Sequence, residues 1–484
     1  MTASTAPAGA HPSDAAWRIE TNGLAAIPDS GRHGRAAELF PVWFAANISV
    51  LAVTYGGYLV VFYRLDLWQA GVVATAGIVV SFAVVGAIAA AGARSGAPTL
   101  VLSRSAFGVR GNALPALVSY VALVGFEVVS ASLAALAAQS VAGRLGLGGG
   151  TGTLAVAFGA VAAVAVAVSV LGHATIVVVQ KAFTVVFGVL TVAFVGLEVP
   201  QIPWHTVAAL PPGSLVGGMG GGLSIIMAGT GITWVNTAAD FSRYLERRSR
   251  PSSVMGWTVL GGSVPLVVLV VLGTLLAAGD PAIATSPDPI GILAAALPTW
   301  FLVPYLVTAV GGLVATIVLG SYSSGLSLLA LGVPLRRDRS VAIDGVLMVA
   351  GSVYLLFFSP SFFAPFQGFL ITVSVPLAAW AAIFLVEHWP FARDDHGGGD
   401  PPGAVNLAGV ISLVLASAVG LGLVTSTSAV FGWVGYLLPL VGGRRGAVGA
   451  SSLGLLAGFA VAGPLYWGLR ARGAGAGAGA GAAP

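Results

Sequence analysis

Apolar runs of about twenty residues or more recur along the whole chain, separated by short stretches rich in charge, glycine and proline. A helix needs roughly 20 predominantly apolar residues to cross the hydrocarbon core of a bilayer. By that measure the runs predict twelve membrane-spanning helices. The first five cover 41–62, 68–92, 113–142, 152–171 and 176–199. The next five cover 217–240, 256–278, 301–332, 341–359 and 364–387, and two more cover 404–426 and 448–469. The stretch 428–442 reads as a short interfacial or re-entrant piece.

Composition agrees with this pattern and narrows it. Of 484 residues 57% are hydrophobic and 8% charged, where a soluble domain carries about 25% charged residues. That excludes a water-soluble enzyme, a nucleic-acid binder and a fibrous protein. There is no cysteine, so disulfide and thiol chemistry are excluded too. Residues 1–38 hold Asp14, Glu20, Asp29 and Glu38 without a continuous apolar core, which reads as a polar tail and not a signal peptide.

The net charge of +4 changes the picture only through its placement. With the N-terminus inside, Arg18, Arg32, Arg35, Arg94, Arg104, Arg110, Arg243, Arg247, Arg248, Arg250, Arg336, Arg337, Arg339, Arg393, Arg470 and Arg472 fall on the cytoplasmic side. Only Arg64, Arg144, Arg444 and Arg445 fall outside. This is the asymmetry of the positive-inside rule, and it predicts a multi-pass cell-membrane protein with both termini in the cytoplasm. The one lysine, Lys181, lies a turn inside the fifth span and is expected to snorkel to the interface.

Two spans look unlike plain packing helices. The sixth opens on Gly217, Gly218, Gly220, Gly221 and Gly222 and adds Gly229 and Gly231 before Trp234 and Asn236. The first carries Asn47, Ser49, Thr54, Tyr55, Gly56 and Gly57 inside an apolar run. Glycine-interrupted, polar-bearing helices point to broken transporter helices that bind substrate and ion near the midplane; glycine also serves close helix packing alone. The two lie five spans apart. Because five is odd, a second five-span copy sits inverted. The expected architecture is therefore an all-α polytopic membrane protein, a five-plus-five inverted repeat with two C-terminal helices. Its divisions are a cytoplasmic tail (1–40), a core (41–387, halves 41–199 and 217–387), a cytoplasmic loop (388–403), the two added spans (404–470) and a disordered Gly/Ala tail (471–484).

Within this frame a few side chains carry candidate chemistry. Glu127 stands mid-way along the third span, where an ionisable group must face a cavity or a partner; a proton carrier or a structural hydrogen bond fits it. Leu123, Phe126 and Ser130 share its face. Trp234, with Asn236 close by, offers a ring to stack on a planar substrate, and Asn47 offers an amide suited to a base edge or to helix–helix bonding. Asp240 and Arg243 suit a structural ion pair or an inner gate, and Gln367 an outer path. Enzyme templates fail. No lysine follows a glycine, no two histidines lie four apart, and there is no Gly-x-Ser-x-Gly.

Two strings go further: SGAPTLVLSRSAFGVRGNALP from Ser95 to Pro115 and WVNTAADFSRYL from Trp234 to Leu245. Together with Trp43-Phe44…Asn47 and Tyr322-Ser323, they strongly resemble the nucleobase–cation symporter family of cytosine and purine permeases, which includes uracil, allantoin and hydantoin transporters. The resemblance implies the leucine-transporter type of inverted repeat, alternating access, and a ring-shaped substrate between the first, third, sixth and eighth spans. It matches Trp234 to the sixth-span tryptophan of the family and puts Phe126 at the position of the third-span tryptophan. Ser130 replaces the usual Gln or Asn, and Thr316 to Ser323 lacks the usual eighth-span asparagine, with Ser321 the candidate there. Thr316 is the hydroxyl candidate for a sodium site, while Glu127 favours proton coupling. The expected function is cation-coupled uptake of a nucleobase or related heterocycle, without cofactor, metal, nucleic acid or obligate protein partner. Alternatives are a symporter of another small solute, such as an amino acid, or a non-transporting membrane sensor.

Overall fold

The computed structural model describes residues 15–286, 288–359, 363–388, 403–426, 428 and 430–480. The expected loop chemistry at Arg393 and 394–402 and the side chain of Gln367 lie outside what is described. Nine described helices are long and apolar enough to cross a membrane, and Ala36–Asn47 with Val50–Val61, bent by 67°, makes a tenth. Leu407–Gly422 and Gly454–Ala480 complete the twelve. The intact spans between are Leu67–Ser95, Ala113–Arg144, Thr151–Leu171, His173–Glu198, Pro251–Ala277, Leu302–Ala330, Arg337–Phe357 and Phe363–His388. No strand forms among the described residues; one isolated bridge joins Gly34 to Leu245.

Helix neighbours reveal the repeat. The first, second, sixth and seventh spans pack together as one body, and the third, fourth, eighth and ninth as a second. The fifth lies against the first and eighth, while the tenth lies against the sixth and third. Shifting every partner by five spans converts one set of contacts into the other, as an inverted five-span repeat requires. The eleventh and twelfth pack on the tenth.

Both expected helix breaks are present. The first span stops at Asn47; Ile48 and Ser49 are extended, and Ser49 Oγ accepts the Leu51 N–H at 3.2 Å to start the second half. That serine cap satisfies a donor that the break would otherwise strand in the membrane. In the sixth span, helix Gly221–Gly229 ends at Thr230, and a tight 3-10 turn, Gly231–Thr237, leads into Ala238–Ser242. The break thus sits at Gly229–Gly231 rather than in the glycine cluster at 217–222. Ser81 of the second span holds it, accepting the Gly231 N–H at 3.2 Å and meeting Thr230 Oγ1 at 3.3 Å. A Cβ on Gly231 would come within 2.5 Å of Ser81, so the close approach needs glycine.

The eighth span passes equally close to the first break: a Cβ on Gly312 would fall 1.8 Å from the Ile48 carbonyl oxygen. Gly312→Ala is therefore expected to push the first span away, costing about 1–3 kcal/mol as overpacking. A fall of several degrees in the melting temperature of the purified protein would show it; an unchanged value would contradict this packing.

Two end regions differ from the expectation. The N-terminal segment is no solvated tail: Ile27, Glu20 and Arg32 are buried against the core. At the other end the helical backbone continues to Ala480, into the segment expected to be disordered. Of the piece at 428–442, residues 430–442 fold back as turns and a short 3-10 helix, Leu438–Val441, with Val434 and Leu438 buried and the Gly435 and Leu437 amides bonded to the Leu421 and Gly422 carbonyls.

Candidate functional site

Between the third, sixth and eighth spans lies a cavity of about 30 Å³, lined by Leu123, Phe126, Glu127, Thr233, Trp234, Thr316, Ile317 and Gly320. Four predicted residues meet here: Phe126, Glu127, Trp234 and Thr316. The volume holds on the order of one or two waters, too little for a heterocycle, so the surrounding helices must move apart to admit one. Trp234 comes from the turn beyond the sixth-span break, which projects its ring inward. The ring stands 5.7 Å from that of Trp43 in an edge contact, while Phe126 meets Phe369 of the tenth span at 5.8 Å.

The other predicted residues lie around the cavity without lining it. Asn47 is buried, and its Nδ2 donates to the Trp43 carbonyl at 2.7 Å, back along its own helix. Asn236 Nδ2 donates to Ser119 Oγ at 2.7 Å, and Ser119 meets Ser327 at 2.9 Å, tying the sixth, third and eighth spans together. Ser130 and Ser321 are buried. Thr316 Oγ1 donates to the Ala46 carbonyl at 2.7 Å and the Gly312 carbonyl at 3.0 Å. It thereby takes up a carbonyl freed by the first-span break.

The arginine-rich face is closed by a polar cluster that sequence reasoning missed. Asp240 and Arg243, expected as a structural ion pair or an inner gate, make their hydrogen bonds to different partners. Asp240 Oδ1 accepts the Thr99 N–H at 2.8 Å. Arg243, fully buried, donates from Nη2 to Glu20 Oε1 at 2.8 Å and to the Tyr322 hydroxyl at 2.9 Å. Glu20 also accepts the Tyr244 hydroxyl at 2.6 Å and the His173 N–H at 3.0 Å. Arg337 donates to the Glu20 and Ser169 carbonyls and stands over the Tyr322 ring. The N-terminal segment thus links the first body, through Arg243, to the second, through Tyr322 and Arg337. Burial alone would raise the Glu20 carboxyl, but Arg243, Arg337 and the bonds from Tyr244 and His173 hold it below the ordinary glutamate value of 4.5. Lys181 stays at this face, with Nζ 2.7 Å from Glu38 Oε1.

Glu127 is 1% exposed, and neither of its carboxyl oxygens has a hydrogen-bond partner among the described residues. It packs against the bare backbone of Gly320, whose Cβ would lie 3.5 Å from Oε1. No cluster of His, Cys, Asp and Glu able to hold a metal ion occurs among the described residues.

With this geometry in place, similarity to known proteins is informative. A model of permeases for cytosine/purines, uracil, thiamine and allantoin matches residues 26–395. A protein of Bacillus subtilis (strain 168) with the provisional name purine-cytosine permease YxlA is 26% identical over 469 residues, 93% of this chain and 95% of that one. Among solved structures, Mhp1, a nucleobase-cation-symport-1 family transporter in a closed conformation with bromovinylhydantoin bound, superposes with a TM-score of 0.68 at 17% identity, covering 92% of this chain and 94% of that one. The inward-facing conformation of Mhp1 superposes with a TM-score of 0.62 at 19% identity, covering 95% and 96%. At such identities these superpositions speak for the fold, the inverted repeat of the leucine-transporter type. The match over residues 26–395 settles the rest: this chain belongs to the family of permeases for cytosine/purines, uracil, thiamine and allantoin, a multi-pass membrane transporter and not an enzyme.

Proposed function

We propose that this chain imports a nucleobase or related heterocycle by cation symport, with the proton favoured over sodium, and that its arginine-rich face lies in the cytoplasm. The observation that carries the reading is the meeting of Phe126, Trp234 and Glu127 around one cavity beside the sixth-span break. Two aromatic rings suit a flat heterocycle, and stacking of a base on an aromatic side chain contributes about 1–3 kcal/mol. Rocking of the first body against the second alternates access, with the Glu20–Arg243 cluster closing the cytoplasmic side.

A sodium-coupled reading draws on Thr316, whose hydroxyl reaches the Ala46 carbonyl at the first-span break. It fits less well. Thr316 Oγ1 and the Ala46 carbonyl bring two oxygens together there, and a buried sodium ion needs several. Glu127, by contrast, is an ionisable group at mid-span inside the substrate cavity, where such groups mark proton relays.

Coupling through Glu127 has a direct test. For one proton per substrate, an imposed gradient of about one pH unit supports up to about tenfold accumulation. Glu127→Gln is expected to bring this ratio in proteoliposomes down to near unity. Undiminished proton-driven accumulation by the variant would remove Glu127 from the coupling.

A further inference from the structure

Asp344 carries no role in the reading above, although it is fully buried two helical turns inside the ninth span. Its Oδ2 accepts the Ser324 hydroxyl at 3.0 Å, and its Oδ1 has no partner among the described residues. Ser324 belongs to the eighth span, one turn from Gly320, and with Ser321 it supplies the hydroxyls that face Glu127. Two further polar atoms converge here without a completed hydrogen bond: the Tyr120 hydroxyl beside Asp344, and Ser321 Oγ, 1% exposed, beside Glu127.

The charges around the pair are one-sided. The Asp344 charge acts on Glu127, and no Arg or Lys is among the groups that act on either. The third span brings Tyr120, the eighth brings Tyr322, and the fourth, Thr151–Leu171, has no ionisable residue. The tenth holds Glu387 and His388 only at its far end, and Arg336, Arg337, Asp338 and Arg339 sit at the outset of the ninth span itself. Two carboxylates in a low-dielectric interior without a counter-charge cannot both ionise. One proton must be held between them.

We infer that Glu127, Ser324 and Asp344 form a proton path inside the second body, with Asp344 the exit carboxyl toward the arginine-rich face. Glu127 sits about four helical turns into the third span and Asp344 about two turns into the ninth, both counted from that face. In the step, the Glu127 carboxyl, unpartnered in this conformation, turns onto Ser324 Oγ and gives it its proton while the serine passes its own to the Asp344 carboxylate. Glu127 is left ionised and Asp344 neutral, and Asp344 releases the proton to cytoplasmic water as Glu127 takes up the next one, so that one proton always stays with the pair. Substrate crosses between the two bodies while the proton crosses within one of them. This inference rests on proton coupling through Glu127.

Proteoliposome uptake of radiolabelled nucleobase separates the two claims. The wild type is expected to accumulate substrate under a pH gradient; if it does not, proton coupling itself fails, and this path with it. Asp344→Asn is expected to retain substrate-induced thermal stabilisation and counterflow exchange while its proton-driven accumulation falls from about tenfold to near unity per imposed pH unit. Asp344→Glu is expected to recover most of the loss, which a merely structural aspartate would not predict. If Asp344→Asn does not fold, Ser324→Ala takes its place, with exchange kept and accumulation reduced severalfold. Wild-type accumulation in a folded Asp344→Asn or Ser324→Ala variant overturns the path and leaves the function proposed for the chain standing.

Discussion

Replacing Arg243 with methionine is expected to open the arginine-rich face. Glu20 is 2% exposed and Arg243 fully buried, and they meet at 2.8 Å in a cluster completed by Tyr244, Tyr322 and Arg337. Removing one partner of a buried pair leaves the other charge uncompensated, at a cost of about 3–5 kcal/mol. Here Glu20 has an escape, because its segment can peel back into water, so the cost falls on the closed conformation and less on the fold. Against a closed state favoured by a few kcal/mol, that shift raises the open population by about a hundredfold or more. The chain has no cysteine, so a single Ser323→Cys, fully buried behind the cluster, reports opening without background. Its labelling rate by a membrane-impermeant thiol reagent should rise accordingly in the Arg243→Met background. An unchanged rate would mean that the cluster is not the closing contact.

The pH dependence of this closure has a definite sign. Because the Glu20 carboxyl is held below 4.5 in the closed state, its contribution is fully present above the ordinary glutamate range and is lost only as pH falls through the lowered value. Labelling of Ser323→Cys should therefore be flat from neutrality down to about pH 5. An opening transition near neutral pH would assign the closure to another group.

The second large effect belongs to Trp234. Trp234→Ala removes the ring that the sixth-span turn presents to the cavity and, with it, the edge contact to Trp43 at 5.7 Å. A stacking loss of about 1–3 kcal/mol corresponds to a tenfold to hundredfold weaker substrate affinity. Equilibrium binding of labelled nucleobase measures it, and Trp234→Phe should recover part of the loss. Wild-type affinity in the alanine variant would rule out stacking on this ring.

How far the sequence carries depends on whether a signal is local. The twelve spans, the broken first and sixth helices and the inverted repeat were legible because apolar run length, interrupting glycines and an odd repeat number are all written along the chain. Phe126, Glu127, Trp234 and Thr316 were legible because each stands out against an apolar helix or matches a family motif. Glu20 was not. An acidic residue in a polar segment looks the same whether it is solvated or buried against Arg243, some 220 positions away, and only the tertiary fold separates these cases. The Asp240–Arg243 spacing left a structural pair and an inner gate both open for the same reason, since i,i+3 proximity makes a pair available without choosing it over Thr99 and Glu20. Asp344 had a usable signal. It is a carboxyl inside an apolar run, subject to the same rule that singled out Glu127, but only a few residues inside the ninth run an interfacial carboxyl and a buried one read alike. Asn47 and Asn236 show the converse: polar side chains at the right depth that are engaged with Trp43 and Ser119 and do not face the cavity.

The central claim is proton-driven nucleobase uptake through the site of Phe126, Glu127 and Trp234, and uptake by the purified chain in proteoliposomes tests it most directly. With labelled nucleobases outside, an inward proton gradient without sodium should drive accumulation, and an inward sodium gradient at equal pH should not. Accumulation driven by sodium alone, with no response to the pH gradient, would contradict the account.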